Sequence, residues 1–298
     1  MTWIFLAVLS AVFLGLYDVG KKAAVQDNAV LPVLFACSAS GLAMLLPVLA
    51  LSALAPETAR QHGLLPQALT LHEHLLVLAK AAIVTLSWVL TYFALKHLPI
   101  SLASPVRASA PLFTLLGAIT WFGERPTPRQ GLGIAAILLA YWVFSIIGRG
   151  EGIRFARNAW VWSLFLGTLV GAASSLYDKH LLQVARLPAF TMQVWFTAYN
   201  TLIQGLIVAL LWWPRRAQVT RFQFRWSIVA VGTLLLLADA LYFRALALPG
   251  ALVSVISALR RTNVVLSFAI GAAVFGERNR LPKAIALAGI LLGVFLIL

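Results

Sequence analysis

The chain has 298 residues, of which 61% are hydrophobic and 11% charged, and its mean hydropathy is +0.92. A composition this apolar excludes an ordinary water-soluble domain and predicts an all-α integral membrane protein. The formal net charge of +14 comes from basic residues scattered among short connections, so it indicates membrane topology and we expect no nucleic-acid partner. The chain's partners are then expected to be the lipid bilayer and a small-molecule solute.

Ten apolar runs of membrane-spanning length follow one another along the chain, each bounded by charges, prolines or glycines. We number them spans 1 to 10. In the first half they cover residues 2–19, 30–54, 75–95, 101–125 and 131–148, and in the second half residues 159–177, 188–213, 226–246, 254–278 and 284–298. A polar link at residues 149–158 separates the halves.

The second half repeats short motifs of the first half. Phe-Gly-Glu-Arg occupies residues 122–125 and again 275–278, and Leu-Tyr-Asp occupies residues 16–18 and again 176–178. The Glu-Arg pairs lie at helix ends, where we interpret them as ion pairs and caps for the following span. We therefore predict two five-helix repeats, residues 1–148 and 159–298. Because five is odd, the second repeat enters the membrane from the opposite side, which makes the repeats inverted and suits them to alternating access.

Ten spans in two halves, with a Gly-Glu-Arg turn after the fourth span of each, resemble the EamA family of the drug/metabolite transporter superfamily. The resemblance covers essentially the whole chain. It implies a secondary transporter of the cell (inner) membrane, usually an exporter of amino acids, other metabolites or toxic compounds. Residues 15–18, Gly-Leu-Tyr-Asp, depart from the tryptophan and small polar residues that many members carry there, so the resemblance implies no particular substrate.

Two arginines lie at equivalent positions inside spans 4 and 9. Arg107 and Arg260 are roughly 12 and 16 Å from the starts of their helices, well inside a hydrocarbon core about 30 Å thick. Ser104 and Ser257 occupy equivalent positions one turn earlier. A charge inside the bilayer costs about 2.5 to 3.5 kcal/mol on insertion scales, so it usually faces a cavity or another charge. We predict that these four residues bind an anionic or carboxylate-bearing solute, which is possibly amino-acid-like.

Other polar residues complete the predicted site. Asn263 on span 9 and Asn200 on span 7 are predicted to bind substrate as well. Arg261 differs in direction from Arg260 by about 100°, so we expect it to pair with Asp239 on span 8 instead of facing the same small site. Asp239 is also the candidate proton-coupling carboxylate.

A structural interpretation of the charges stays open beside the functional one. Each arginine is then bound to helix-end carbonyls or to a carboxylate, and Asp18, Asp178 and Asp239 act as structural charges that lock helices together. Lys80 on span 3 has no counterpart in the second half, and its long side chain is expected to reach back to the membrane interface.

A second class of function also stays open: a membrane enzyme or scaffold that acts on lipid-linked substrates without solute transport. The compact candidate for an enzyme is Asp178-Lys179-His180, but adjacent positions on a helix point apart. We therefore expect no enzyme activity. We also expect no cofactor or metal, since Cys37 stands alone in an apolar run.

Spans 5 and 10 carry small residues at helical spacing. When the two halves of the sequence are aligned, Gly289 and Gly293 fall at the same positions as Ala136 and Ala140, which predicts close packing of these spans on each other or in a homodimer.

The side of the membrane on which the termini lie is open. Lys and Arg are more numerous in the odd-numbered connections, which places both termini outside, whereas the resemblance implies both inside. A reporter fused after Leu298 decides between them.

Overall fold

The computed structural model describes residues 2–98, 106, 107, 109–147, 158–263, 265, 266, 270 and 280–297. Regular structure over these residues is entirely helical. The α-helices are α1 (Thr2–Val25), α2 (Val30–Leu54), α3 (Pro56–Gln61), α4 (Leu71–His97), α5 (Ala110–Phe122), α6 (Pro128–Ile147), α7 (Ala159–Lys179), α8 (Ala189–Ile207), α9 (Trp226–Ala247), α10 (Val253–Arg260) and α11 (Arg280–Ile297). A π-helical turn continues α7 over His180–Val184, and another continues α8 over Val208–Trp212.

Local side-chain chemistry sets several helix ends. Thr70 and Glu73 form a capping box at the start of α4, in which the Thr70 hydroxyl accepts from the Glu73 N–H and the Glu73 carboxylate accepts from the Thr70 N–H. The Asn158 side chain accepts from the Trp160 N–H at 2.9 Å and starts α7. Gly123 ends α5 with φ of 62°, a left-handed conformation that glycine adopts without a steric penalty.

Six helices of the described part are long and apolar enough to cross a membrane: α1, α2, α4, α7, α8 and α9. When the helical turns that continue α7 and α8 are counted with them, the shortest of the six has 22 residues and therefore rises about 33 Å, enough for a hydrocarbon core about 30 Å thick. Large apolar side chains such as Leu54 and Trp121 point outward and are 83% and 72% exposed, as lipid-facing residues are. The chain is a multi-pass membrane protein. Predicted spans 4 and 9 lie partly outside the described residues, and α5 and α10 are the described parts of them.

The most extensive helix packing joins the two halves of the sequence. Helix α1 packs on α9, α4 packs on α7, and α6 packs on α11. Helices α2 and α4 also pack on α8, and α5 packs on both α7 and α10. The largest core cluster accordingly contains residues of both halves, among them Val77, Ala81, Phe243 and Ile256. Neither half buries its apolar surface mainly against itself.

The contact between α6 and α11 depends on small residues. A Cβ atom built on Gly133 would lie 2.7 Å from the Gly293 carbonyl oxygen, and one built on Gly289 would lie 2.9 Å from the Ala140 Cβ. The small-residue faces of predicted spans 5 and 10 are thus in contact within one chain. A homodimer through these spans stays a prediction, and it would use their exposed faces, which carry Leu132 and Phe295.

Two glycines on α6 provide a matched test of this packing. Gly133→Ala is expected to lower the thermal unfolding midpoint in detergent, because the added methyl meets the backbone of α11. Gly131→Ala is the control, since a Cβ there meets nothing within 4 Å and alanine is the better helix former by roughly 0.5–1 kcal/mol. Equal midpoints for the two variants would contradict the close approach of α6 and α11.

Candidate functional site

A cavity of about 230 Å³ lies among the helices, and its lining draws on both halves of the sequence. Side chains from α1, α4, α7, α8, α9 and α10 face it, together with Arg107 and the residues that follow α10. Trp88, Phe196 and Phe243 supply apolar surface, while serines, threonines and charged groups supply the polar surface. The described lining carries five cations and three carboxylates, so its formal charge is positive.

One part of the lining consists of matched charges, and we call it the paired cluster: Lys80, Asp178, Tyr242, Arg260 and Asp239. The Lys80 ammonium lies 2.8 Å from the Asp178 carboxylate, and both side chains are almost fully buried. The Tyr242 hydroxyl donates to the same carboxylate at 3.1 Å. A buried charge of either sign would be costly alone, so each member of this pair stabilises the other in place.

The second ion pair of the paired cluster joins Arg260 to Asp239 at 2.8 Å. The Arg260 guanidinium also stacks over the Tyr242 ring, 4.2 Å from its centroid, which connects the two ion pairs. Among the described residues, the buried Arg260 Nε has no hydrogen-bond acceptor. Arg260 also lines the cavity, so its guanidinium group lies beside the space that a solute would occupy.

The other charged part of the lining has an excess of cations, and we call it the basic cluster: Lys21, Arg107, Arg261 and Asp18. The charges of Arg107, Asp18 and Arg261 all act on the Lys21 ammonium. That ammonium lies 4.1 Å from the centroid of the Tyr92 ring.

Neutral polar groups surround the basic cluster. The Tyr92 hydroxyl lies 2.9 Å from the Tyr17 hydroxyl. Asn263 donates its side-chain N–H to Asp18 at 2.6 Å. The basic cluster thus holds three cations and one carboxylate, and hydroxyl and amide groups lie beside them.

The cavity brings together most of the residues predicted from sequence. Arg107, Arg260, Ser257 and Asn263 line it, as do the three carboxylates Asp18, Asp178 and Asp239. Ser104 lies outside the described residues.

Two predictions about arginine direction were wrong. Asp239 pairs with Arg260, where we had expected Arg261, and both arginines line the cavity. Arg261 is the C-cap of α10 and keeps a right-handed helical backbone, with φ of −73° and ψ of −12°, so the difference in direction still holds, but the cavity is wide enough to be lined from both directions.

Asn200, which was predicted to bind substrate, does not line the described cavity and instead belongs to a buried hydrogen-bond network. Its side-chain oxygen accepts from the Thr85 hydroxyl at 2.8 Å, and its nitrogen donates to the Ser38 hydroxyl at 3.2 Å. Ser38 in turn donates to Gln204 at 2.8 Å. This buried network joins α2, α4 and α8, so the polar face of predicted span 7 holds helices together.

Two lysines at the cavity were missed by the sequence analysis. Lys80 is buried against Asp178, so the expectation that it reaches the membrane interface was wrong. Lys21 lies beyond the end of predicted span 1, among basic residues that indicate topology, and no sequence signal separates it from them. Lys80 could have been found from its depth, because it lies about two to three turns inside α4 instead of in a connection.

Glu124 forms a junction between the halves that we call the Glu124 clasp. Its carboxylate accepts from the Lys179 ammonium at 2.6 Å, from the Val253 N–H at 2.7 Å, and from both the N–H and the hydroxyl of Ser254. Glu124 therefore caps α10 in the other half, and the expectation that it caps the following span was wrong. Exposed Arg125 lies beside the clasp.

The clasp and the cavity meet at the end of α7. Asp178 faces Lys80 in the cavity, whereas the adjacent Lys179 faces Glu124, and the ring of His180 stacks on Tyr177. Three consecutive side chains thus point in three directions, and they do not form one catalytic site. The π-helical turn at His180–Val184 begins directly after them, and such turns often occur at functional sites.

These features define a multi-pass membrane protein with a charged internal cavity. Residues 1–146 match the sequence model of the EamA-like transporter family, which belongs to the drug/metabolite transporter superfamily. This match confirms the resemblance for the first half of the sequence, and the family that it names is one of membrane transporters.

The full chain shares its fold with a solved crystal structure. The alignment covers 100% of this chain and 98% of that chain, with a TM-score of 0.73 and 17% sequence identity. A search of curated proteins found no match.

Breaking the buried Lys80–Asp178 pair tests the paired cluster. Lys80→Met is expected to cost about 3–5 kcal/mol of unfolding free energy, because it leaves Asp178 buried without its counter-charge. The double variant Lys80→Met/Asp178→Asn is expected to recover most of that loss. The measurement is denaturant unfolding in detergent micelles.

The control is Arg60→Gln, which breaks an exposed ion pair with Glu57 and is expected to leave the unfolding midpoint unchanged. Wild-type stability of the Lys80→Met variant would show that the pair is not needed in the folded protein.

Proposed function

We propose that this chain is a secondary transporter of the cell (inner) membrane that exports a small anionic or amino-acid-like metabolite by alternating access. The observation that carries the proposal is the internal cavity, whose described lining has five cations against three carboxylates. The guanidinium groups of Arg107, Arg260 and Arg261 present donors that suit the carboxylate or phosphate oxygens of an anionic solute. The EamA-like unit at residues 1–146 supports transport as the general function.

The size of the cavity favours a small metabolite. Its volume of about 230 Å³ lies below the roughly 300–1,000 Å³ of pockets for drug-sized ligands. Trp88 and Phe196 offer apolar surface for a short carbon skeleton. Asp178 and Asp239 supply carboxylates that suit an amino group on the same solute. An amino acid or a small organic acid fits these features better than a large hydrophobic compound does.

We further propose that the chain forms ten spans as two inverted five-helix repeats, residues 1–148 and 159–298. The packing pattern supports this symmetry. Helix α1 in the first half is equivalent to α7 in the second, and α4 is equivalent to α9. The α1–α9 contact therefore has the α7–α4 contact as its counterpart, and both are among the most extensive in the structure. The α6–α11 contact joins the last helices of the two halves, which are equivalent to each other, so the symmetry leaves this contact unchanged.

Alternating access gives the Glu124 clasp a role as a gate. The clasp ties the end of α5 to the end of α7 and the start of α10, and all of its polar contacts cross between the halves. The cavity opens on this face only when those helix ends separate. The adjacent residues Asp178 and Lys179 connect the two sites, because any movement of the α7 end that follows solute binding also moves the clasp.

Solute flux tests the proposed function directly. Proteoliposomes that contain the purified chain are expected to release preloaded amino acids, organic acids or phosphorylated metabolites faster than protein-free liposomes loaded with the same solute. We expect no faster release of organic cations. Arg260→Gln is expected to lower the flux of the preferred solute about tenfold or more, because it removes a charge-assisted donor inside the cavity.

Arg216→Gln is the matched control for charge, since this exposed arginine donates locally to the Trp213 carbonyl. Flux equal to that of empty liposomes for every solute, or a preference for organic cations, would contradict the proposal.

Removal of the clasp is expected to open its face of the protein. Glu124→Gln deletes a charge that accepts four hydrogen bonds, and the loss of about 1.5 kcal/mol or more shifts the conformational equilibrium about tenfold. Spin labels at Arg125→Cys and Val184→Cys, in a Cys37→Ala background, report the separation of the helix ends by pulsed electron spin resonance. The expected result is a longer distance in Glu124→Gln.

Glu57→Gln is the control, because it removes an exposed carboxylate whose partner is Arg60. Lys179→Gln removes the other side of the clasp and is expected to act in the same direction. An unchanged distance distribution in both clasp variants, with the protein monodisperse, would exclude a gate at Glu124.

A further inference from the structure

A basic and aromatic connection joins the end of α8 to the start of α9, and we call residues 213–226 the interfacial strip. Its sequence, WPRRAQVTRFQFRW, contains four arginines, four aromatic residues and no acidic residue. One candidate membrane span ends at Arg215 and the next begins at Trp226. Because the ends of spans mark the edge of the hydrocarbon core, the strip lies at the level of the lipid headgroups.

Hydrogen bonds fix the interfacial strip against the end of α1 and the residues that follow it. The buried Asn28 side chain donates to the Gln223 carbonyl at 2.7 Å and accepts from the Gln223 N–H at 2.8 Å. The Arg225 guanidinium donates to the carbonyls of Ala23 and Gln26 at 2.7 and 2.8 Å. The fold therefore determines which side chains of the strip face outward.

The aromatic side chains of the second part of the strip are exposed. Phe222, Phe224 and Trp226 alternate with Gln223 and Arg225, the two residues that contact the end of α1 and the connection after it. Phe224 and Trp226 are 60% and 79% exposed, and their rings contact each other edge to face, with 5.7 Å between centroids. Aromatic rings at a span end are typical of the boundary between headgroups and acyl chains. These exposed rings therefore suit a lipid environment.

The four arginines of the strip divide by their contacts. Arg225 is bonded to backbone carbonyls, and Arg216 lies 4.4 Å from the centroid of the Trp213 ring and donates to the Trp213 carbonyl at 3.0 Å. Arg215 and Arg221 are exposed at the same membrane boundary. A guanidinium group presents planar N–H donors that match phosphate oxygens. Each of these two residues can bind the phosphate of a separate lipid, because a leaflet presents many, so the two need not lie close together.

We propose that the interfacial strip binds anionic phospholipids, with Arg215 and Arg221 on headgroup phosphates and the exposed aromatic rings in the boundary between headgroups and acyl chains. The positive charge of the strip complements an anionic headgroup. The rings favour a lipid over free phosphate, because a soluble anion leaves their apolar surface uncovered. This inference goes beyond the proposed function and holds whether or not the chain moves a solute.

Lipid composition beside the strip is the quantity to measure. The purified full-length chain carries a bimane label at Gln218→Cys, an exposed position of the strip, in a Cys37→Ala background. It is placed in phosphatidylcholine nanodiscs that contain a minor fraction of a brominated lipid, either phosphatidylglycerol or phosphatidylcholine. Bromine quenches bimane at short range. We expect quenching that corresponds to about fivefold or more enrichment of the brominated phosphatidylglycerol, since one basic residue near a membrane surface provides about that factor.

Variants of the strip separate the charge from the rings. Arg215→Gln/Arg221→Gln is expected to abolish the enrichment, and Arg215→Lys/Arg221→Lys to retain most of it, because lysine keeps the charge. Arg125→Gln is the control, since it removes an exposed arginine beside the Glu124 clasp, at the opposite end of the helices. Equal enrichment in the wild type and in Arg215→Gln/Arg221→Gln would overturn the assignment of these two arginines.

The rings are tested in the same nanodiscs. Phe222→Ala/Phe224→Ala is expected to lower quenching by both brominated lipids, because the strip then lies further from the acyl chains. Unchanged quenching by both lipids would overturn the part assigned to the rings.

Three further outcomes would overturn the proposal as a whole. Equal quenching by the two brominated lipids in the wild type would show no preference for anionic headgroups. Absence of quenching by either lipid, with a dimer detected by light scattering, would show that a second copy of the chain covers the strip. Loss of the preference on addition of inorganic phosphate at constant ionic strength would identify free phosphate as the ligand. None of these measurements involves solute flux, so each can fail while the proposed transport holds.

Discussion

A charge inside the membrane-spanning part of a protein needs an opposite charge or strong hydrogen bonds, and here most of those partners come from the other half of the sequence. Lys80 of the first half pairs with Asp178 of the second, Glu124 with Lys179, and Asp18 with Asn263. Because each contact crosses the same boundary, the charges that hold the halves together also form the walls of the cavity and its clasp. In the alternating access that we propose, a change of conformation between the halves would exchange these partners and so couple the cavity to the Glu124 clasp.

The helical fold was largely predictable because the bilayer sets the length and composition of each span. The runs at residues 30–54 and 226–246 reappear as α2 and α9 almost residue for residue, and Gly123 ends α5 where the repeated Gly-Glu-Arg turn indicated. Arg107, Arg260 and Asp239 were found in advance for the same reason, since a charge within an apolar run is expensive enough to imply a cavity. Each of these predictions depends on local sequence and on the membrane as solvent.

The partners of the charges were not predictable in the same way. Lys21 resembles any lysine beyond a span end, and only its position over the Tyr92 ring makes it part of the cavity. Glu124 resembles a cap for the next helix, whereas it accepts hydrogen bonds from the start of α10, 129 positions away in sequence. Asn200 has the polar character of a binding residue but joins three helices through Thr85 and Ser38. Such contacts follow from how the helices rotate and tilt against each other, which local pattern does not encode.

The sequence by itself determined a multi-pass helical membrane protein, its EamA-like first half, and charges at depths where lipid cannot hold them. These properties follow from hydropathy and motif, which act over a single helix. The tertiary structure decided how the charged residues of the cavity divide between the two ion pairs, Lys80–Asp178 and Arg260–Asp239, and the basic cluster. That division required the actual packing of α1, α4, α7, α9 and α10, because the electrostatic energy of a charge depends on its neighbours in space and not on its neighbours in sequence.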